Sequence, residues 1–285
     1  MKHNTKLVGK KVMKSVPAKV YDESYYRNIN DGGAVFFKTK GKSLSRRMRL
    51  SLKHAKIQKS DVVLDFGCGR GDLVFYLAPQ CKSIIGVDYS QDAIKICESM
   101  KNKYYKKFTN ISFYRSAIKN LKLNDNSLDK VFLLDVVEHL YPDELSLLLH
   151  KLFKAMKKDA VLVVHTCPNT NFYKYGYPVI RFFYPVLRLF PPFRKLLDTK
   201  PNWKGLKRLP KNPEANSHNE IGHVNEMNPK RMKFVLQNIG FRVKVKTYPF
   251  SRELDSLVIK LAYAILLLPP LKLMFSADII AIAKK

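Results

Sequence analysis

With 285 residues, 46% of them hydrophobic, the chain can bury a large core, as one α/β domain or as one domain carrying a sizeable insertion. Its 52 Lys and Arg against 23 Asp and Glu give a formal charge of +29, which favours anionic partners: nucleic acid, anionic lipid headgroups or phosphorylated substrates. Four cysteines without a Cys-x-x-Cys pair speak against a zinc site and a disulfide scaffold, and a reducing compartment is expected.

Met1 to Lys19 is basic and lacks the continuous apolar core of a secretory signal. Residues 1–20 read as a flexible basic arm. Tyr21 to Gly33, with Tyr25-Tyr26 and Asp31-Gly32-Gly33, reads as a lead-in segment with a turn. Ser43 to Ile57 places Leu44, Met48, Leu52 and Ala55 at helical spacing. A first strand is predicted over Val62 to Asp65, followed by the turn Phe66-Gly67-Cys68-Gly69-Arg70-Gly71 and a helix over about 72–78 that stops at Pro79. Glycines let this backbone turn tightly and let a ligand approach the main chain. The carboxylate of Asp65 would repel a pyrophosphate, and Asp72 stands where Gly-x-Gly-x-x-Gly requires its last glycine. A cationic ligand, or one rich in hydroxyls and amines, suits the turn better.

Ser83 to Asp88 predicts the second strand. Asp88 falls 21 residues past Gly67, where an acid can hold both hydroxyls of a ribose. Ser90 caps a helix to about Lys103. Ile111 to Tyr114 is the third strand, with Ser116-Ala117 after it. Leu128 to Leu134 is the fourth, running into Asp135-Val136-Val137-Glu138-His139-Leu140. Pro142 suits the first turn of a helix to Met156, and Ala160 to Thr166 is the fifth strand. Asn228-Pro229 opens a helix ending near Gly240, and strands follow at Phe241 to Tyr248 and Asp278 to Ala283. Strands and helices alternating through short crossovers imply a parallel, doubly wound sheet whose ligands sit at the carboxyl ends of the strands. Gly67, Asp88, Ser116 and Asp135 all fall at such ends.

The acid and Gly-x-Gly-x-Gly turn within Val63 to Gly71, the acid Asp88, and Glu138-His139-Leu140 after the fourth strand resemble the class I S-adenosylmethionine-dependent methyltransferases, over roughly residues 40–168 and 226–285. The resemblance implies an α/β, Rossmann-like, doubly wound seven-stranded sheet, mostly parallel with an antiparallel last strand, and S-adenosyl-L-methionine as cofactor. It implies a cofactor site of Asp65, Gly67, Cys68, Gly69 and Gly71, with Asp88 and Tyr89 at the ribose and Ser116 and Ala117 along the adenine. Asp135, with Val136 beside it, joins Asp65 in favouring the cationic end. The division that follows is a basic N-terminal arm and lead-in segment (1–40), a cofactor-binding core (41–168), an insertion or lid (169–227), and the C-terminal part of the sheet with an apolar helix (228–285).

Candidate general bases are His139, at the mouth of the fourth strand, and His223 or His218 in the insertion, since a histidine titrates near neutrality. Glu138 has too few companion ligands in the sequence to place a metal. Cys167, in Thr166-Cys167-Pro168, resembles the nucleophile position of RNA cytosine-5 methyltransferases, but their Pro-Cys after the fourth strand is replaced here by Asp135 to Glu138. Cys167 therefore reads as a small buried filler. The Asn/Asp-Pro-Pro-aromatic signature of nucleobase-amine methyltransferases is also missing.

About sixty residues separate the fifth strand from Asn228. Phe172 to Phe193 holds nine aromatics, Arg181 and Arg188, and no acid, and Pro178, Pro185, Pro191 and Pro192 are expected to break it into short pieces. Such a segment reads as a lid packed on the domain or as a membrane-interface element. Ser251 to Phe275 is apolar nearly all round. Its longest run, Leu261 to Leu271, is interrupted by Pro269-Pro270 and is too short to span a bilayer comfortably. The expectation is a cytoplasmic O-methyltransferase, peripheral on an anionic membrane surface, acting on a small-molecule or lipid/glycan-linked acceptor, akin to the ubiquinone-pathway and polysaccharide-synthesis methyltransferases. The alternatives are a methyltransferase binding RNA through charge and a catalytically inactive cofactor-binding assembly protein.

Overall fold

The computed structural model describes residues 14–29, 32–198, 203–215, 217–250 and 256–285. Most of the basic arm, residues 1–13, and part of the Asp31 turn lie outside the described residues. Seven strands form one sheet: β1 (Val62–Phe66), β2 (Ser83–Asp88), β3 (Ile111–Arg115), β4 (Leu128–Leu134), β5 (Met156–Thr166), β6 (Arg242–Tyr248) and β7 (Asp278–Lys284). Their order across the sheet is β3-β2-β1-β4-β5-β7-β6. β1 to β5 pair in parallel, and β7 is antiparallel to both β5 and β6. This is the Rossmann-like architecture expected from the sequence, including the antiparallel last strand.

Central strands of a parallel sheet are covered on both faces, so they need continuous apolar runs rather than alternation. Val131, Phe132 and Leu133 of β4 meet that need and are fully buried. Val63, Ile84, Ile111, Phe132 and Val163 point to one face, where they pack with α3 (Asp72–Leu77) and α4 (Gln91–Tyr104). Leu64, Val131, Leu133, Leu162 and Ile279 point to the other, against α5 (Pro142–Ala155) and α9 (Pro229–Ile239). Caps set the helix starts: the Ser90 hydroxyl accepts from the Ala93 N–H at 3.2 Å, and the Asn228 side chain accepts from the Arg231 N–H at 2.9 Å. Gly240 ends α9 in the left-handed region.

The proline-rich stretch departs from expectation. Thr170–Leu187 is one continuous helix, α6, with Pro178 and Pro185 inside it. A proline removes one helical hydrogen bond, but burial of the flanking rings opposes that loss. Phe172, Tyr177 and Tyr184 pack with Leu197, Trp203 and Leu209 in a core separate from the sheet's, and the Tyr184 hydroxyl donates to the Trp203 carbonyl at 2.8 Å. Pro191 starts α7 (Pro191–Leu197), where a missing N–H is harmless. The apolar C-terminal segment forms α10 (Leu257–Leu266) and α11 (Leu271–Phe275), with α11 packed on α6. β5 is also longer than predicted, beginning at Met156 directly after α5. Among the described residues, no helix is long and apolar enough to cross a membrane.

Leu148 is fully buried in α5 against the sheet. Leu148→Ala is expected to cost about 2–5 kcal/mol in urea unfolding, from lost burial and a residual cavity. A loss well under 1 kcal/mol would show that α5 is not fixed on this face.

Candidate active site

The turn after β1, the tips of β2 and β4 and the loop after β3 enclose a cavity of about 250 Å³ at the carboxyl edge of the sheet. Of the residues singled out in the sequence, Gly67, Cys68, Gly69, Asp88, Tyr89, Ser116, Ala117, Asp135, Val136 and His139 line it. The fit is close at the turn. A Cβ on Gly67, which has φ +76°, would stand 2.4 Å from Val136 Cγ2. Only glycine lets the β1 turn rest on the β4 loop and keep the floor of the cavity open. The Asp88 carboxylate accepts from the Gly69 N–H at 2.9 Å and the Ser90 N–H at 2.8 Å, and its burial raises its pKa to about 6. These bonds aim an acceptor group into the cavity, which suits a vicinal diol. Adenosine and a sulfonium-bearing tail match this mix of main chain, carboxylates and apolar walls. The described lead-in segment covers the cavity through Ser15, Val16, Tyr21, Tyr25 and Tyr26, and the Tyr89 hydroxyl donates to the Val16 carbonyl. The inner end of the expected flexible arm is thus packed, with Val16 buried.

Two anticipated residues stand elsewhere. Asp65 is buried behind the turn and is not among the side chains lining the cavity. Burial, reinforced by Asp72 and Asp88, raises its pKa to about 8, so near neutral pH it offers little negative charge to a cation. Gly71 also lies off the cavity wall. A Cβ there would come within 2.8 Å of Phe75 and 3.1 Å of Cys97 Sγ, so this glycine serves the packing of α3.

A buried charge network unrecognised in the sequence braces the β4 tip. Asp135 accepts from Arg47 of α2 (Arg46–Leu52) at 3.0 Å and from His165 Nδ1 at 2.6 Å, and His165 Nε2 donates to Asp278 at 3.0 Å. His165 is wholly buried. Burial alone would lower its pKa, but the two carboxylates raise it to about 9 and hold the ring as an imidazolium. Burial opposes ionisation of Asp135, yet Arg47 and His165 hold its pKa well below the usual carboxylate range. A histidine directly after the apolar run Val161 to Val164 was the signal available in the sequence.

His139 lies at the other end of the same loop. Its Nδ1 sits 3.0 Å from the Gly222 carbonyl and 2.8 Å from the Tyr21 hydroxyl. A carbonyl only accepts, so Nδ1 carries the proton and Nε2 keeps its lone pair. Burial, helped by His223, lowers the His139 pKa to about 4 and keeps the ring neutral. His223 does not line the cavity. Burial works against its charged form, but Glu226, 3.5 Å away, together with Glu138 and Glu214, raises its pKa. Glu138 is buried, accepts from the Thr166 hydroxyl at 2.8 Å, and has its pKa raised to about 7 by burial and by Asp135. Its carbonyl accepts from the Val224 and Asn225 N–H groups, which pins the insertion to the β4 loop. Glu138, His139 and His223 each present a ligand atom within 4.8 Å of the others, as do Glu214, His223 and Glu226. The first joins the β4 loop to His223 of the insertion, and the second lies wholly within the insertion. His218 does not itself line the cavity but packs on Tyr25, which does, with ring centroids 4.6 Å apart.

Beyond Arg47, which lines both, lies a second and mainly apolar cavity of about 510 Å³. Cys167 is part of its wall and is half-buried, not the buried filler expected.

His165 supplies a pH test. Its folded pKa lies above its unfolded value of 6.5, so its stabilisation is full below pH 6.5 and lost as pH rises through about 9. His165→Gln is expected to cost about 3–5 kcal/mol in urea unfolding below that window, because it removes a charged partner from both Asp135 and Asp278. The gap to wild type should narrow as pH climbs through it. A gap constant with pH would show that the ring is neutral.

A family model described as a methyltransferase domain matches residues 57–191. The chain is 25% identical over 162 residues to a probable (S)-tetrahydroprotoberberine N-methyltransferase 2 of Papaver bracteatum, covering 54% of this chain and 44% of that protein. It is 29% identical over 151 residues to an (S)-coclaurine N-methyltransferase of Thalictrum flavum subsp. glaucum, covering 50% and 40% respectively. The chain thus spans less than half the length of these curated relatives. A solved SAM-dependent methyltransferase from Archaeoglobus fulgidus superposes with a TM-score of 0.52 at 25% identity, over 88% of this chain and 99% of that one. Another from Mesorhizobium loti gives 0.55 at 13% identity, over 85% and 98%, a likeness of fold alone. Together with the sheet order, the glycine turn and the Asp88 cavity, these likenesses support a class I S-adenosylmethionine-dependent methyltransferase.

Proposed function

We propose that this protein transfers a methyl group from S-adenosylmethionine to a hydroxyl of a small lipid- or glycan-type acceptor, at an anionic membrane surface. The observation that carries the O-methylation reading is His139, neutral, with its tautomer set by the Gly222 carbonyl and its ring on the cavity wall. When bound, the cofactor supplies a methyl group already activated by its sulfonium charge. The residues have three tasks. Asp88 and the Gly67–Gly69 backbone hold the nucleoside. Asp135, kept ionised by Arg47 and His165, favours the cationic end. His139 Nε2 takes the acceptor hydroxyl proton as the new O–C bond forms, with Tyr21 and Gly222 fixing the ring. His223 is less available as a base, because Glu226 favours its protonated form and its ring does not line the cavity.

The lipid-type acceptor and the membrane surface find support in the apolar cavity beyond Arg47 and in the charge of +29. A second reading, N-methylation of a small amine, is favoured by the printed activities of the two plant relatives. Labelling lipid, glycan, small-amine and RNA fractions with tritiated S-adenosylmethionine separates the readings. Label in a lipid or glycan ether supports the proposal, and label confined to amines or RNA overturns it.

Two substitutions test the roles. Asp88→Ala is expected to weaken S-adenosylmethionine binding by about 1–3 kcal/mol in calorimetry, the worth of charge-assisted bonds to the ribose, and unchanged affinity would remove Asp88 from the site. His139→Gln should keep cofactor affinity and lower turnover about 10²–10⁴-fold, the usual contribution of a general base. Full turnover in that variant would mean the proton leaves by another route.

A further inference from the structure

The 510 Å³ cavity falls within the ~300–1,000 Å³ of small-molecule sites. Its wall is apolar from several elements at once: Val179 and Phe183 of α6, Leu196 of α7, Trp203, and Ala262 and Ile265 of α10. Polarity is confined to one region, where Arg47 and Asp278 line the wall beside Cys167. Arg47 also lines the cofactor cavity, and Asp278 belongs to the network that holds Asp135 there. The two cavities therefore share Arg47 in their walls, so the charged neck of the apolar chamber lies on the side of the polar one. An apolar chamber of this size ending at a charged neck is complementary to an amphiphile: a head with hydrogen-bonding groups at the neck and a hydrocarbon chain beyond it.

The outside of the same helices is also apolar. Phe182 and Leu189 are each 78% exposed, Leu257 71% and Leu273 69%. A soluble protein rarely leaves so many large apolar side chains on adjoining helices without an interaction partner. No carboxylate occurs in residues 160–197 or 256–277, whereas Arg181, Arg194, Lys195 and Lys260 are exposed. Apolar side chains flanked by cations, without anions, suit the headgroup region of an anionic leaflet.

We propose that the cavity between α6, α7 and α10 binds the long hydrocarbon chain of a bilayer-borne acceptor, with the outer faces of α6, α10 and α11 resting on the leaflet that supplies it. This rests on the acceptor reading above and names its substrate class. The chain would lie against Trp203, while the head faces the cofactor across Arg47.

Trp203 is the only tryptophan of the chain, is buried, and lines this cavity. Its fluorescence therefore reports occupancy without any turnover. The full-length protein is titrated with monomeric dibromostearate and, separately, with vesicles of brominated-chain phosphatidylcholine and phosphatidylglycerol. Bromine in the cavity is expected to quench most of the Trp203 emission in both arms, and the protein should cosediment with the vesicles. Ala262→Phe and Val179→Phe fill the cavity from opposite walls. Each is expected to raise the half-quenching concentration roughly tenfold or more, with S-adenosylmethionine affinity and far-ultraviolet circular dichroism unchanged. At least one variant meeting those two controls carries the comparison.

Absence of quenching by dibromostearate overturns the chain site. Quenching that persists unchanged in a folded, cavity-filled variant means surface adsorption and overturns it too. Quenching by dibromostearate but not by vesicles overturns delivery from a bilayer. Intact chain binding without methyl transfer to any lipid fraction would sink the proposed activity and leave the site standing, so the two failures are distinguishable.

Discussion

Asp135 sits in the left-handed region at φ 56°, an unfavourable place for a residue with a side chain, and its carboxylate accepts bonds from two cations. Much of the active end of this protein depends on that arrangement. Arg47 comes from the helix before the sheet, His165 from β5 and Asp278 from the start of β7. One ionic chain thus ties α2 to the ends of three strands that are distant in sequence. Charges withdrawn from water in this way are tolerated only when they are paired and hydrogen-bonded. The pairing fixes the loop from Asp135 to His139, and with it the wall of the cofactor cavity and the position of the imidazole.

The insertion is built on the same loop. Main-chain bonds from Val224 and Asn225 to the Glu138 carbonyl seat it, and Gly222 sets the tautomer of His139. Its own small core, around Tyr177, Tyr184 and Trp203, carries α6 through two prolines and walls the apolar cavity. Orientation of His139 and shaping of the apolar cavity are thus structurally linked: the segment that walls the apolar cavity also holds the imidazole.

Much of the core was legible before any coordinates. The apolar runs of β1 to β5, the Ser90 and Asn228 caps and the Gly240 stop are local signals, and the structure has each. Asp88, Gly67, Ser116 and Asp135 could be placed because strand ends in a parallel sheet converge on one edge. The burial of Asp65 was not legible, because the pattern records a residue's position along a strand and not the dielectric around it. The continuity of α6 was missed because local proline chemistry was weighed without the ring packing that offsets it. His223, Tyr21 and Arg47 carried no motif, and their importance comes from contacts with segments roughly eighty to more than a hundred residues away.

By itself the sequence determined the periodicities that make a parallel sheet, the glycines that open its first turn, and the spacing that puts an acid at the ribose. All of these are consequences of backbone geometry over a few residues or one crossover. Tertiary structure alone decided which histidine is neutral and which is charged, which acid faces the cavity and which is buried behind it, and that a second, apolar chamber adjoins the first. Those properties depend on desolvation, on paired charges and on the space left between packed elements, and no linear pattern encodes them.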